Sequence, residues 1–371
     1  MIRNIIVGCG ISGAITARIL AERFYEHSLV IDSRSHIGGN CYDFFDHNHI
    51  CIHKYGAHIF HTDIASVWEY LTRFTQWHPY MHKVLGFVDG QLVPIPFNLN
   101  SLAMVFPKGL ARRLEEKLIG HFGFGMNISV SELRKSKDND LSFLAEYIYK
   151  KIFLGYTQKQ WGLNPDEIDP SVIGRVPVRV SRDDRYFQNK WQAIPLHGYT
   201  AMISSILEHH FITVKTGVAW NEIKKEFQGC NIRIFYTGPA DELLDWRFGE
   251  LPYRSVSQVF REYDREFFQG AAVVNYPENY DFTRISEYKH FLSEKSSRTV
   301  VSFEYPSAWK RGENEPAYPI AGEASDSLYR RYVEAARKEY GSIHFLGRLG
   351  DYKYYDMDKA VARVFSAMEA L

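Results

Sequence analysis

Gly8, Gly10 and Gly13 are spaced Gly-x-Gly-x-x-Gly, directly after the run Asn4-Ile5-Ile6-Val7 and ahead of a helical pattern over residues 14–24. A second apolar run, Leu29-Val30-Ile31, ends in the carboxylate of Asp32, 19 residues past Gly13. Such a strand–turn–helix–strand unit can hold a dinucleotide. Gly8 permits the tight turn, Gly10 lets the backbone approach a pyrophosphate, and Gly13 allows close packing of helix on strand. The helix N-terminus, with Ser12 in its first turn, offers free amides and a positive dipole end to the phosphates. Asp32 stands where a carboxylate takes a ribose hydroxyl.

The continuation Ser33-Arg34-Ser35-His36-Ile37-Gly38-Gly39-Asn40 narrows the choice of dinucleotide. A basic residue and then a Gly-Gly pair is the pattern of FAD-binding proteins of the glutathione-reductase type, and NAD dehydrogenases lack it. Gly39 and Asn40 therefore join the expected cofactor contacts. Further on, His58 and His61 lie three apart between Tyr55 and Phe60. Their spacing would suit a metal, yet no third ligand lies nearby, and the apolar surroundings suit a wall against a planar ring. No metal is expected.

The stretch His53-Lys54-Tyr55-Gly56-Ala57-His58-Ile59-Phe60-His61-Thr62 resembles the signature of the UDP-galactopyranose mutases. These flavoenzymes interconvert the pyranose and furanose forms of UDP-galactose. The resemblance recurs in order along the chain. It is carried by Gly155-Tyr156-Thr157-Gln158-Lys159-Gln160-Trp161-Gly162, Arg175-Val176-Pro177-Val178-Arg179 and Ile194-Pro195-Leu196-His197-Gly198-Tyr199-Thr200. It returns in Tyr236-Thr237-Gly238-Pro239, Phe282-Thr283-Arg284-Ile285 and Gly347-Arg348-Leu349-Gly350-Asp351-Tyr352-Lys353-Tyr354-Tyr355-Asp356-Met357.

The resemblance implies FAD, active when reduced, with its N5 as the nucleophile on the anomeric carbon and UDP as the leaving group. It assigns Arg175 and Arg284 to the diphosphate, where guanidinium forks are the natural donors, with phenols from Tyr186, Tyr318 and Tyr354. Tyr156 and Trp161, helped by Phe153, would form the uracil platform, and Thr157 and Asn275 complete the substrate set. His58 and His61 would lie beside the flavin, Arg348 would stabilise its reduced ring, and Asp356 would orient sugar hydroxyls. Val218, Gly238 and Met357 join the cofactor set. The loop at 163–170 would close as a flap over bound UDP. The implied partners are UDP-galactose and UDP-galactofuranose, an external reductant such as NAD(P)H, and a second copy in a homodimer. Two other readings stay open. One is a mutase for the N-acetylated sugar, distinguished around His61 or His82. The other is a flavin amine oxidase-like enzyme, which needs no pair of diphosphate-binding arginines.

Composition agrees with a globular enzyme. The 371 residues carry 44 Lys and Arg against 44 Asp and Glu, so no overall field favours nucleic acid or an anionic membrane. Four cysteines, Cys9, Cys41, Cys51 and Cys230, show no metal spacing, and no apolar run reaches the ~18 residues of a membrane span. With no secretory pattern at the N-terminus, a cytoplasmic setting is expected.

The elements that must position these residues follow from pattern. The fold class is α/β, with a Rossmann-like FAD-binding domain of the glutathione-reductase type. That domain is expected to be discontinuous, from 1–80, 196–245 and 320–371. Helical periodicity, with Leu110, Leu114 and Leu118 on one face, marks 98–165 as a helical lid. Ser142 reads as a helix cap there. An antiparallel substrate sheet takes 81–97, 166–195 and 246–319, with a hairpin at Asp89-Gly90 and strand-like pattern over 172–190 and 252–307. A closing helix is expected over 359–371.

Overall fold

The computed structural model describes residues 2–163, 176–227 and 230–371. Its central sheet has five parallel strands in the order Ile212–Thr216, Ser28–Asp32, Asn4–Val7, Arg233–Tyr236, Ile343–Phe345. The inner strands read as near-continuous apolar runs because helices cover both faces. Alternate residues face opposite ways. Ile6, Val30 and Phe235 pack with the helix Ile11–Phe24, while Ile5, Ile31 and Ile234 pack with Tyr332 and Ala336 of the helix Glu323–Tyr340. The helix Ile11–Phe24 also lies against the helices Gly198–Leu207 and Met357–Glu369. The closing helix starts two residues earlier than its pattern predicts, because Asp356 takes the N-cap position.

A seven-stranded sheet runs in the order Tyr318–Pro319, Tyr253–Tyr263, Thr299–Ala308, Arg284–Glu287, Val273–Asn275, Val84–Val88, Gln91–Ile95. It is antiparallel except where Val273–Asn275 lies parallel to Val84–Val88. The expected antiparallel sheet is therefore mixed. These two strands are far apart in sequence and are not joined by a hairpin, so nothing forces them to run oppositely. The predicted Asp89-Gly90 turn is present, with both residues left-handed (φ 48° and 80°), as a two-residue hairpin requires.

Residues 98–163 are mainly helical: Leu99–Val105, Lys108–Phe122, Val130–Leu133, Asn139–Ile148, then a π-helical turn, Tyr149–Leu154, that runs into Gly155–Trp161. Leu114 and Leu118 are buried as predicted, with Leu110 half-buried beside them. The cap differs. Asp138, not Ser142, starts the helix Asn139–Ile148, its carboxylate accepting from the amides of Asp140 and Leu141. Asp is as good a cap as Ser, and here it stands one turn earlier. Within the predicted strand segment 172–190, the described residues form only the short strand Val178–Arg179, paired with Asn127–Ile128. The charged run Arg182-Asp183-Asp184-Arg185 ends the apolar pattern. A three-stranded sheet joins Phe60–Thr62 and Trp77–Pro79 to Trp191–Pro195. Among the described residues no helix is long and apolar enough to cross a membrane.

Candidate active site

The glycine turn opens onto a cavity of about 470 Å³ at the carboxyl ends of the central strands. Gly8, Gly10, Ser12, Asp32, Gly39, Asn40, Val218 and Gly238 all line it. Gly8 has φ 104°, which a side chain would resist. A Cβ on Gly13 would stand 2.0 Å from the Gly8 carbonyl oxygen, so Gly13 serves the packing of helix on strand and does not line the cavity. No side chain caps the helix Ile11–Phe24, which leaves its first amides for an anion. Asp32 accepts hydrogen bonds from the amides of Cys9 (2.8 Å) and Arg34 (2.9 Å), so it pins the turn as well as facing the cavity. Each carboxylate oxygen keeps a second lone pair for a ribose hydroxyl. This donor set fits a dinucleotide.

At the other end of the cavity stand His58, Arg348, Asp356 and Met357. His58 Nδ1 lies 2.7 Å from the Gly56 carbonyl and must donate to it, which leaves Nε2 as the lone-pair nitrogen. The His58 amide donates to His53 Nδ1 at 3.0 Å, so a second, fully buried imidazole fixes this loop. Burial lowers the pKa of His58 to about 4 and that of His53 to about 3, holding both rings neutral. Arg348 donates twice to the Tyr355 carbonyl (3.2 and 3.0 Å), and its guanidinium lies 5.1 and 5.4 Å from the rings of Tyr318 and Tyr354. Asp356 holds the N-cap position of the closing helix, but its side chain makes no capping bond.

Those two tyrosines lead to a second group. Trp161, Tyr318 and Tyr354 meet ring to ring at 5.3–6.2 Å. Beside them Arg284 donates to the Tyr156 hydroxyl at 2.5 Å, and its Nε lies 2.9 Å from Glu304 Oε1. Burial is the strongest single influence on Arg284 and opposes its charge, but Glu304, Tyr156, Tyr318 and Tyr186 together outweigh it and hold the pKa above the usual range. Asn275 pairs with Arg284 across the strands, and its Oδ1 is buried without a partner. Phe153, in the π-helical turn, and Thr157, on the following helix, are both buried. A half-buried cation, several phenols and an orphaned amide oxygen together make a polar recess able to hold an anion with hydroxyl groups.

His61 is placed elsewhere. It does not line the cavity with His58; its Nδ1 lies 2.9 Å from Asn189 Oδ1 and its ring stacks on Phe187 at 3.6 Å. The two histidines flank Phe60 at a strand, where the two-residue alternation sets neighbours on different faces and the turn before it separates them further. Arg175 and residues 164–170 of the expected flap lie outside the described residues. Among the described residues, Asp43, Cys51 and His53 bring ligand-type atoms within 4.8 Å of one another. Both Asp43 oxygens already accept amides, from Tyr199 (2.6 Å) and Thr200 (2.9 Å), so this group ties the hairpin of strands Asp43–Phe45 and Cys51–His53 to the helix Gly198–Leu207. Sequence reasoning missed Glu304 and gave His53 no role; neither carries a local signal, since each acts through strand or loop contacts.

A family model described as UDP-galactopyranose mutase matches residues 151–354, and one described as an NAD(P)-binding Rossmann-like domain matches residues 6–74. The chain is 37% identical to a probable UDP-galactopyranose mutase of Klebsiella pneumoniae, over 98% of this chain and 93% of that protein. It is 35% identical to a dTDP-fucopyranose mutase of Escherichia coli, over 97% of this chain and 96% of that protein. A crystal structure of reduced UDP-galactopyranose mutase superposes with a TM-score of 0.70 at 15% identity, over 100% of this chain and 93% of that one, a likeness of fold.

Proposed function

The chain belongs to the UDP-galactopyranose mutase family of flavin-dependent isomerases, and on that premise we propose that it interconverts UDP-galactopyranose and UDP-galactofuranose with FAD as cofactor. The observation that carries this reading is the continuity of the two groups of residues. Arg348, which lines the cavity, lies over the rings of Tyr318 and Tyr354, and those rings meet each other beside Arg284, so the two groups adjoin through side chains. An oxidase would have no use for a half-buried guanidinium ringed by phenols.

Bound and reduced FAD supplies the nucleophile for the anomeric carbon. The residues around it divide the remaining work. Arg284, with Arg175 as its expected partner, holds the diphosphate through leaving and return, and Tyr186, Tyr318 and Tyr354 donate phenol hydrogen bonds to it. Trp161 and Tyr156, helped by Phe153, pack the base, and Thr157 and Asn275 complete the substrate set. His58 Nε2, the lone-pair nitrogen of a ring held neutral, accepts a hydrogen bond at the flavin end, and Arg348 favours negative charge there. Asp356 orients sugar hydroxyls. On the same reading an external reductant such as NAD(P)H reduces the flavin, the enzyme works in the cytoplasm, and it forms a homodimer.

The test is turnover of the purified yellow protein, oxidised and then dithionite-reduced, with products separated by HPLC. UDP-galactofuranose and dTDP-fucofuranose are run side by side, since relatives named for each nucleotide stand at similar identity. The expected result is conversion of the UDP sugar in the reduced state only. A flavin-loaded, reduced protein that converts only the dTDP sugar, or neither, would overturn the assignment.

A further inference from the structure

The cavity has a roof that neither the glycine fingerprint nor the family blocks single out. Trp246, Trp309, Arg311 and Glu315 line it together with Arg34. They belong to its Asp32 end. The Arg34 amide donates to Asp32, the Val218 amide donates to the Asp32 carbonyl, and Asn221 donates to Asp245, the neighbour of Trp246. In the dinucleotide fold this is the adenosine end, whereas His58 and Arg348 mark the flavin end.

Three independent features distinguish the roof from an ordinary loop. First, Asp245 and Trp246 are consecutive left-handed residues (φ 51° and 53°), a conformation that non-glycine residues adopt at a cost and that clusters where ligands are clamped. Second, the Trp246 indole N–H is buried with no partner, while the Arg311 guanidinium lies 4.8 Å from its ring centre. Third, the segment 309–316 is fastened down. Glu315 pairs with Arg34, whose guanidinium also donates to Asn40 Oδ1 at 3.0 Å and stacks 4.3 Å over the Tyr55 ring. Tyr55 is itself held by His36 at 2.9 Å. The segment is braced from within, since Asn314 accepts from the Lys310 amide (2.8 Å) and donates to the Ala308 carbonyl (3.0 Å).

We propose that Trp246 and the strap 309–316, latched through Glu315 to Arg34, grip the adenosine half of FAD and set how long the cofactor stays bound. An aromatic face and an unpaired indole donor suit a purine and its ribose. The strap closes the exit without touching the flavin end, so the reactive ring stays open to the Arg284 recess. The inference rests on FAD as the cofactor and not on the identity of the sugar nucleotide.

The test follows FAD release from the holoenzyme on dilution, read as the return of flavin fluorescence. Trp246→Leu should release FAD roughly tenfold faster. Glu315→Gln should release it about threefold faster, as suits a half-exposed ion pair. The control Glu116→Gln, which loses only an exposed contact to Arg112 outside the strap, should match wild type. The visible bands of the bound flavin should be unchanged in all three. Release at the wild-type rate in both Trp246→Leu and Glu315→Gln would overturn the proposal; so would faster release accompanied by shifted flavin bands, since that means the whole cavity has moved. Where Trp246→Leu does not fold, Glu315→Gln decides alone. A colourless wild-type protein would overturn the cofactor premise itself.

Discussion

Arg284 shows what a single residue contributes in this site. Its guanidinium is held by Glu304 on one side and faces the Tyr156 hydroxyl on the other, so the cation is already oriented before an anion arrives. Losing a charge-assisted, oriented donor costs about 3–4 kcal/mol of transition-state stabilisation in sites of this type. Arg284→Ala should therefore lower kcat/KM by about 10²–10³-fold in steady-state assays while the bound flavin spectrum is retained; a loss under tenfold would remove Arg284 from the diphosphate site. The histidines make a second prediction. Burial lowers His53 and His82 to about 3 and His58 to about 4, with Arg284 and His61 acting further on His82 and His53 on His58. In the unfolded chain each titrates near ~6.5. Between these values the unfolded state binds protons that the folded state refuses. Stability from these rings is thus complete above about 6.5 and falls as pH drops towards 4 for His58 and towards 3 for His53 and His82, by up to ~1.4 kcal/mol per pH unit for each. Calorimetry at pH 7 and pH 5 should show a lower melting midpoint at pH 5, and a level midpoint would contradict the buried neutral assignment.

Elements are pinned to one another by contacts that join distant stretches. The hairpin strand Asp43–Phe45 caps the helix Gly198–Leu207 from outside, through the Asp43 carboxylate. Gly198 has φ 83°, and a Cβ there would meet that carboxylate at 2.8 Å. Gly198→Ala combines backbone strain with a displaced cap and should cost about 2 kcal/mol. Gly217 is also left-handed (φ 71°), but a Cβ there meets nothing within 4 Å, so Gly217→Ala should cost about half as much. Thermal melts of the two variants check the ranking, and equal shifts would show that the Asp43 contact is immaterial. The same elements show how far pattern reading reaches. The Asp89-Gly90 hairpin was legible because its turn chemistry is local. The cap at Asp138 was misread as Ser142 because two good cap residues lie within one turn, and only packing of the helix face selects between them. The parallel pairing of Val273–Asn275 with Val84–Val88 had no local signal at all.

At the scale of the molecule, the cofactor cavity draws on strands, loops and helices from residue 7 to residue 360. A ligand seated there ties these segments together and stabilises the folded state by mass action. Flavin-depleted protein should gain about 2.7 kcal/mol when FAD is supplied at a hundredfold excess over its dissociation constant. A melting midpoint that does not rise with FAD concentration would contradict that coupling. The amino-acid sequence by itself determined the nucleotide turn, the order of the family blocks and most of the side chains in the Arg284 recess. The turn is a short spacing, where glycine geometry acts within a few residues, whereas the recess side chains followed only from the resemblance of the blocks to a known family. Only the tertiary structure decided that His58 faces the cavity while His61 packs on Phe187, that Glu304 meets Arg284 across paired strands, and that Trp246 and Glu315 roof the adenosine end. These relations depend on strand register and on loops meeting over hundreds of residues, and a contact of that kind leaves no periodicity in the chain to be read.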